Sequence, residues 1–453
     1  MRRQVLAWSL VLLLCLGFSA CGTEDQGEKN GTFLVTATDL HYLSPELTDH
    51  GETFWQVMKN GDGKVTEYCE ELIDAFLAEL IVAKPDALIL TGDLSFNGER
   101  ASHERLAAKL QMAEDAGIPV YVLPGNHDVY RGTSASFFGD GYELVPSVSG
   151  EDFSRIYGAF GFEEALSRDT DSLSYMAQLN EGTRLLMLDA NTFNDYCSLS
   201  KVTLAWAEEQ LSAAKEEGMD VLAACHQNLY QHSVFRGGYM LECSEMLHQL
   251  LEDYEVPLML SGHMHIQHIL TEGTVTEIAT SPLTMSACRY GLLHLDGDRI
   301  RYETGSVDLD AWAKKQGIDN QDFRHFPQYA LDRMRERTKI QAEGMLEGKD
   351  YDPDMAQELI DYACELNLGY FTGDLRGIPE LDPEGALQAE WENNRSSFSG
   401  YFASLAPEIG ADYTWWTNGK YNYSRIEWIR CGCETIPVPG AVPFRASSPA
   451  ESR

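Results

Sequence analysis

The chain has 453 residues, of which 71 are acidic and 34 basic, so that its formal net charge is −37. This length suits one large domain with an appendage, or two domains. Because so acidic a surface repels polyanions, the charge argues against a nucleic-acid groove as the main site, and no nucleic-acid partner is expected.

Residues 1–20 have the pattern of an export signal, with arginines at the start, an apolar run and small residues before Cys21. This pattern resembles a bacterial lipoprotein signal whose lipidated residue is Cys21, although Phe18 stands where leucine is usual. A plain secretory signal and an uncleaved anchor are the alternatives. We therefore expect an exported cell-surface or envelope lipoprotein, bound to the membrane through its lipid, with a polar tether over 21–31.

Three apolar, β-branched runs in the first third of the chain predict strands, and amphipathic helices are predicted between them at 65–81 and 99–116. Alternating strands and helices indicate a parallel sheet, and in such sheets the active site lies beyond the carboxyl ends of the strands. Each predicted strand ends in polar residues that can bind a metal. The strands are 33–38, which ends at Asp39 and His41, 86–91, which ends at Asp93, and 119–123, which precedes Asn126, His127 and Asp128.

The second half continues this pattern after a stretch at 131–150 that is predicted to be an inserted loop. Strands are predicted before His226 and before the segment Gly262-His263-Met264-His265. The runs 269–278 and 291–302 are predicted to close a second sheet, with a hairpin turn at Asp296-Gly297-Asp298.

From residue 308 the pattern becomes helical. Asp352-Pro353 and Asp382-Pro383 each predict a helix start, with Asp as the N-cap and Pro at the first helical position. The predicted domains are a catalytic domain at 32–307, a helical appendage at 308–436 and a flexible tail at 437–453.

In chain order the polar groups read Asp39-x-His41, Gly92-Asp93, Gly125-Asn126-His127-Asp128, His226 and Gly262-His263-x-His265. Over about residues 32–305, this series resembles the calcineurin-like metallophosphoesterase family, and its ligand set is similar to that of class III cyclic-nucleotide phosphodiesterases. The resemblance implies an α/β fold, a four-layer α/β/β/α sandwich. It also implies two divalent metal ions, and a His/Asp/Asn ligand set accepts Mn, Fe, Zn or Co.

The resemblance further implies which residues hold the two ions. One ion is assigned to Asp39, His41 and His265, the other to Asn126, His226 and His263, and Asp93 bridges them. Two ions that share a bridging carboxylate lower the pKa of a water molecule between them. The resemblance implies that the resulting hydroxide attacks phosphorus in line with the leaving group.

The implied catalytic residue beside the metals is His127, as general acid or transition-state stabiliser, with Asp128 orienting its ring. The family often has two adjacent histidines where this chain has His226-Gln227, so only one imidazole is available there. Asn97 and His232 are candidate substrate contacts, with a structural role as the alternative for each.

The expected activity is metal-dependent hydrolysis of a small phosphate ester, with a diester such as a cyclic nucleotide favoured by the ligand set. The alternatives are a phosphomonoesterase, a phosphodiesterase of the cell envelope, and a non-catalytic surface binding module on the same fold.

Overall fold

A computed structural model describes residues 31–192, 197–235, 237–396 and 398–419. The predicted signal, the tether up to residue 30, Cys21 and the tail lie outside the described residues. Within the described part of the chain, none of the helices combines the length and the apolar character that crossing a membrane requires.

Strands are numbered here in chain order over the described residues. They are β1 (Thr32–Ala37), β2 (Ala87–Leu90), β3 (Val120–Val122), β4 (Ala135–Phe138), β5 (Gly141–Leu144), β6 (Ser167–Arg168), β7 (Tyr175–Gln178), β8 (Thr183–Leu188), β9 (Asp220–Cys225), β10 (Leu258–Ser261), β11 (His268–Glu272), β12 (Val275–Ala279), β13 (Arg289–Asp296), β14 (Arg299–Ser306) and β15 (Trp415–Thr417).

The α-helices of the described residues are numbered in the same way. They are α1 (Glu52–Asn60), α2 (Cys69–Ala83), α3 (Arg100–Asp115), α4 (Gly150–Ile156), α5 (Lys201–Glu216), α6 (Ser244–Asp253), α7 (Leu309–Gln316), α8 (Phe326–Leu346), α9 (Pro353–Thr372), α10 (Ile378–Leu381), α11 (Ala386–Asn393) and α12 (Ser399–Leu405).

The first sheet has the strand order β15-β14-β13-β1-β2-β3. Strands β1, β2 and β3 are parallel, as predicted, with Leu34 opposite Ala87 and Leu88 opposite Val120. The prediction that 291–302 closes a second sheet is wrong, because β13 pairs antiparallel with β1 and β14 pairs with β13. Their alternating pattern suits the edge of either sheet, so it does not identify the partner. The predicted turn is confirmed at Gly297, whose φ is +55°.

The second sheet has the order β11-β12-β10-β9-β8-β7-β6, and its side chains alternate between two cores. Leu185 and Met187 of β8 lie in the core that also contains the first sheet, whereas Leu186 and Leu188 pack with α5 and α6. Hydrogen bonds join the sheets directly, since the Tyr175 hydroxyl donates to the carbonyl of Val122 at 2.9 Å. The two sheets therefore lie face to face with helices outside, which confirms the α/β fold.

The helical region after β14 is built around the pair α8 and α9. The carboxylate of Asp352 accepts hydrogen bonds from the amides of Asp354 and Met355, so this predicted N-cap is confirmed. The start predicted at Asp382 is wrong, because α11 begins only at Ala386, although the Asp382 carboxylate still accepts a hydrogen bond from the Ala386 amide at 2.8 Å. After these helices the chain returns to the first sheet as β15, which pairs with β14.

Regular structure occurs in the stretch predicted to be an inserted loop and in the connection after β1, for which no element was predicted. Residues 131–150 include the hairpin β4–β5, in which Ala135 lies opposite Leu144. Helix α1 lies in the connection that follows β1, where Phe54 and Met58 are buried. Both elements are short, nine residues for α1 and four for each strand of the hairpin, so each offers few residues from which a period can be recognised.

Candidate metal centre

The carboxyl ends of five strands, β1, β2, β3, β9 and β10, meet at one place between the two sheets. Backbone hydrogen bonds join the segments that leave these strands. The amide of Asp39 donates to the carbonyl of Gly92, the amide of His41 to that of Asp93, and the amide of Gly262 to that of His226. The segments therefore position one another independently of their side chains.

The backbone turns sharply at five of the predicted ligands, Asp39, His41, Asp93, His263 and His265, whose φ angles lie between +40° and +68°. Positive φ is strained for residues other than glycine, and such strain is typical of functional sites. The nearby glycines are required for space, since a Cβ atom on Gly125 would lie 2.2 Å from the Asp93 carboxylate.

A first cluster contains Asp39, His41, Asp93 and His265, and nearly all of it is buried. The Nε2 atoms of His41 and His265 are 3.1 Å apart. The Oδ1 atom of Asp39 lies 3.2 Å from the His265 nitrogen and 3.6 Å from the His41 nitrogen. The Oδ2 atom of Asp93 is 3.8 Å from the same His41 nitrogen.

A second cluster contains Asp93, His226 and His263, and shares Asp93 with the first. The Nε2 atom of His226 lies 3.3 Å from Oδ2 of Asp93 and 3.1 Å from Oδ1 of Asn126. The Nε2 atom of His263 is occupied by the carbonyl of Gly238 at 2.8 Å, which leaves Nδ1 for a ligand. All seven predicted metal ligands are thus brought together in two groups. Gln227, in the place of a second histidine, instead accepts a hydrogen bond from Asn191.

These donor atoms fit divalent cations. Oδ1 of Asp39 and Nδ1 of His263 are buried without a hydrogen-bond partner among the described residues, which is costly unless an ion satisfies them. Carboxylate, imidazole and amide oxygen are ligands of borderline divalent metals. The other six residues are grouped around Asp93, whose carboxylate belongs to both clusters.

The electrostatics of the metal-free clusters are dominated by burial and by the two carboxylates. Burial opposes protonation of His226, but the Asp93 carboxylate outweighs it and raises the pKa of His226 to about 9. Burial likewise opposes protonation of His265, as does Lys64, and Asp39 raises the pKa of His265 to about 9. Burial lowers the pKa of His41 to about 3 and that of His263 to about 4. His226 and His265 would therefore have to release a proton in order to bind a metal ion.

His127 lies beside the first cluster, with its ring edge-on to that of His41 at a centroid distance of 4.9 Å. Its Nδ1 atom contacts the carbonyl of Phe96 at 3.0 Å and Oδ1 of Asn97 at 2.9 Å. Asn97 therefore holds the ring of His127, and the structure gives it this positioning role at the site.

The expectation that Asp128 orients the His127 ring is wrong. The buried Asp128 carboxylate accepts hydrogen bonds from the amides of Leu94, Ser95 and Gly125 and from the Ser95 hydroxyl. It is fully used in joining the turn after β2 to the turn after β3. A carboxylate next to a histidine in sequence looks like an orienting group, but the two side chains leave this turn in different directions.

The expectation that His232 contacts substrate is also wrong. His232 is buried away from the clusters, with Nε2 2.8 Å from Glu277 and Nδ1 2.9 Å from Nδ1 of His268. The Nε2 atom of His268 is in turn 3.2 Å from Oε2 of Glu408, which belongs to the helical region. We call these four residues the interdomain cluster.

Sequence reasoning missed Asp62 and Lys64, which lie in the connection after α1. Oδ2 of Asp62 is 3.0 Å from Nδ1 of His265, on the side of the ring opposite the first cluster. The ammonium of Lys64 is 2.7 Å from the same carboxylate. A carboxylate behind a metal-binding imidazole fixes its tautomer and orientation. Neither residue belongs to a recognisable motif, so the sequence carried no signal for them.

A cavity of about 710 Å³ opens onto the two clusters. One wall consists of Asp93, Asn126, His127, His263 and His265 at the strand ends. A second wall comes from the helical region and is formed by Met334, Arg337, Thr338 and Gln341 of α8, Asn367, Tyr370 and Phe371 of α9, Phe398, and Tyr401 of α12. The helical region therefore forms part of the candidate site, which its sequence pattern did not indicate.

Comparison with known proteins gives two family matches. Residues 34–267 match the family described as calcineurin-like phosphoesterase, and residues 308–407 match the family described as the C-terminal domain of cyclic nucleotide phosphodiesterase.

Individual relatives are more distant. A probable glycerophosphodiester phosphodiesterase, GpdQ of Arcobacter nitrofigilis, is 24% identical over 249 residues, covering 52% of this chain and 76% of the relative. A 3′,5′-cyclic-nucleotide phosphodiesterase of Nostoc is 25% identical over 244 residues, covering 52% of this chain and 73% of the relative. A solved dimetal phosphatase from Danio rerio has a TM-score of 0.46 and 12% identity, covering 61% of this chain and 96% of that structure.

Proposed function

Because the chain belongs to the calcineurin-like phosphoesterase family, we propose that it is a phosphodiesterase that works with two divalent metal ions. Family membership and the phosphodiesterase names of its relatives indicate a metal-dependent phosphoester hydrolase. One observation carries the proposal of two ions. Asp93 belongs to both histidine clusters, and a shared carboxylate is suited to bridging two cations.

The residues around Asp93 would hold the ions, with Asp39, His41 and His265 on one side and Asn126, His226 and His263 on the other. When bound, two divalent metal ions activate a water molecule as nucleophile and stabilise charge on the phosphoryl oxygens. The buried protein walls keep bulk water from these groups and strengthen their electrostatic interactions.

His127 is proposed to donate a proton to the departing alcohol. Because Phe96 and Asn97 hold its Nδ1 atom, the ring is fixed and Nε2 is left for the substrate. Burial lowers the pKa of His127, which makes its imidazolium a stronger acid than an exposed one.

A diester is favoured over a monoester by two observations. Two relatives are named for glycerophosphodiester or cyclic-nucleotide hydrolysis, and the C-terminal residues match a domain named for a cyclic nucleotide phosphodiesterase. The cavity of about 710 Å³ is also far larger than a phosphate group, so it has room for an organic group beyond the metals. A monoester remains the second candidate, and a phosphodiester of the cell envelope is a substrate variant of the first.

The test uses protein stripped of metal and reloaded with manganese. Bis(p-nitrophenyl) phosphate, p-nitrophenyl phosphate and 3′,5′-cyclic AMP are assayed in parallel, with Asp93→Asn as the control. We expect turnover of a diester well above the monoester, and a fall of roughly 10³-fold or more in kcat for Asp93→Asn together with a reduced metal content. Preference for the monoester would make the protein a phosphatase. No turnover with two metals bound would favour the binding module.

Export and lipidation at Cys21 are a separate proposal, which rests only on the signal pattern of residues 1–20, outside the described residues. A lipid anchor would place the hydrolase at a membrane surface. Mass spectrometry of the N-terminal peptide from membrane-extracted protein should show an acylated Cys21, and Cys21→Ser should release the protein from the membrane. An unmodified peptide that begins elsewhere would reject the proposal.

A further inference from the structure

The helical wall of the cavity carries a cation that the metal chemistry does not require. Arg337 of α8 lines the cavity together with Met334, Thr338 and Gln341, which follow the spacing of one helix face. The strand-end wall, which contains the candidate metal ligands, belongs to different elements. The two walls therefore contact different parts of any molecule that fills the cavity.

Arg337 differs from the other arginines of α8 in having no acidic partner among the described residues. Arg335 is 2.8 Å from Glu365, and Arg333 is 3.8 Å from Glu67. With 71 acidic residues against 34 basic ones, a carboxylate is readily available to a surface arginine in this chain. An arginine of the cavity wall that lacks one is therefore informative.

The guanidinium of Arg337 is also short of hydrogen bonds. Its Nε atom is buried without a hydrogen-bond partner in the described part of the chain, as are the Nε atoms of Arg184 and Arg289. In each of those two residues another guanidinium nitrogen has a polar contact, Arg184 with Glu217 and Arg289 with Thr304. No hydrogen bond or ion pair joins Arg337 to a described residue. A half-buried charge without a partner costs free energy, which a bound anion would recover.

Apart from histidines at the strand ends, the other basic side chain among the described cavity residues is Lys64, and it already has an acidic partner. Lys64 lies 2.7 Å from Asp62, which in turn contacts His265. Lys64 therefore belongs with the residues that support the metal ligands, and of the lysines and arginines among the described cavity residues Arg337 remains for a ligand.

The charge balance of a bound diester indicates what Arg337 binds. A phosphodiester carries one negative charge, which two divalent ions held by Asp39 and Asp93 already balance. A further guanidinium on another wall suits a second anionic group, because arginine presents a planar fork that matches a carboxylate or a phosphate.

We propose that Arg337 binds a second acidic group of the substrate, so that the preferred substrates are phosphodiesters whose organic part carries a carboxylate or a phosphate. This inference rests on the proposed phosphodiesterase function. The aromatic side chains of the same wall, Tyr370, Phe371, Phe398 and Tyr401, supply apolar surface for the organic part between the two acidic groups.

Three chromogenic esters with one leaving group test the proposal: p-nitrophenyl phenyl phosphate and its 4-carboxyphenyl and 4-phosphonophenyl counterparts. The measured quantity is the ratio of kcat/KM for each anionic ester to that for the phenyl ester. We expect a ratio of about ten for the wild type, which corresponds to one charge-assisted contact. The ratio should fall to near one in Arg337→Gln and stay intermediate in Arg337→Lys. The anionic ester with the larger ratio identifies the acidic group.

Arg335→Gln is the matched control, because it removes a guanidinium from the same helix outside the cavity wall, and its ratio should equal that of the wild type. An unchanged ratio in Arg337→Gln, whether the rates stay equal or fall together, would overturn the proposal. Circular dichroism and metal content establish that each variant is folded and loaded, and Arg337→Lys decides the outcome if the Gln variant is not.

A binding measurement separates failure of this inference from failure of the proposed function. If the metal-loaded wild type hydrolyses none of the esters, the phosphodiesterase proposal fails. Calorimetric binding of 4-carboxybenzylphosphonate and benzylphosphonate still tests Arg337, since neither compound can be hydrolysed. About tenfold tighter binding of the carboxylate compound, lost in Arg337→Gln, would support an anion site, and equal binding would reject it.

Discussion

Two clusters of histidines and carboxylates in this protein are built differently. In the metal centre, Nε2 atoms of His41 and His265 face each other at 3.1 Å, and a carboxylate oxygen of Asp39 has no hydrogen-bond partner among the described residues. In the interdomain cluster, each ring nitrogen of His232 and His268 has a partner within 3.2 Å.

The difference separates a ligand site from a structural contact. Side chains that satisfy one another have no need of an ion, and the interdomain cluster joins β12 to the helical region through Glu277, His232, His268 and Glu408. Buried side chains that converge but leave polar atoms without hydrogen bonds are destabilising, and a bound cation would offset this cost. Backbone strain follows the same division, because Asp39, His41, Asp93, His263 and His265 have positive φ whereas His232 and His268 do not.

The largest effect is expected for His232→Ala, which tests whether the interdomain cluster has a structural role separate from metal binding. Removing the imidazole leaves the Glu277 carboxylate buried without its contact to Nε2 of His232, although the amides of Leu229 and Tyr230 still donate to it. We expect the free energy of unfolding to fall by about 3 kcal/mol in urea titrations, with the metal content equal to that of the wild type. The exposed His50→Ala should change neither. Loss of metal at unchanged stability would mean that the two clusters are not distinct.

Asp62→Asn tests how the candidate metal centre depends on a carboxylate that contacts one of its ligands. The variant keeps an oxygen near Nδ1 of His265 but removes the charge that stands behind the ring. We expect metal affinity at the site containing His265 to weaken by about 10–100-fold, measured by competition with a chelator, while the other site is less affected. Glu52→Gln, at an exposed position of α1, is the control. Equal weakening of both sites, or none, would contradict the role given to Asp62.

Glu79 of α2 is a half-buried carboxylate outside the histidine clusters. Burial raises its pKa to about 7, although the Asp308 amide donates to it at 2.6 Å. Because the folded pKa is higher than the unfolded one, the stability contributed by Glu79 is full below about pH 4.5 and is lost as the pH rises through 7.

The corresponding variant is Glu79→Gln, which cannot ionise. Between pH 5 and pH 8, we expect the wild type to lose about 1–2 kcal/mol of unfolding free energy relative to this variant. Urea unfolding at several pH values measures the difference. Parallel pH profiles for the two proteins would show that the Glu79 carboxyl is not protonated in the fold at neutral pH.

The strand-end residues of the candidate site could be predicted because parallel strands deliver their carboxyl ends to one edge. Asp39, Asp93 and Asn126 each follow an apolar run, and the sheet brings them together whatever the lengths of the connecting helices. The sheets themselves were less predictable, since β13 and β14 carry a pattern that suits either sheet, and long-range pairing decided the outcome.

Residues that reach the site from outside the strand ends could not be predicted. Asp62 lies in an irregular connection. Arg337 lies on an amphipathic helix, more than 270 residues after Asp62 in the sequence. Their contribution depends on how the helical region packs on the sheets, which local periodicity does not encode. The same limit explains His232 and Asp128, whose hydrogen bonds are to segments distant in sequence.

The helical wall has both of its attachments on one strand. The chain leaves β14 at Ser306, passes through α7 to α12, and returns as β15, which pairs with β14 through Trp415 and Glu303. Residues 308–414 are thus an exchangeable cassette whose two ends are neighbours in the sheet. A related cassette grafted between β14 and β15 would replace the recognition surface, Arg337 included, and leave all five strand ends of the catalytic wall in place.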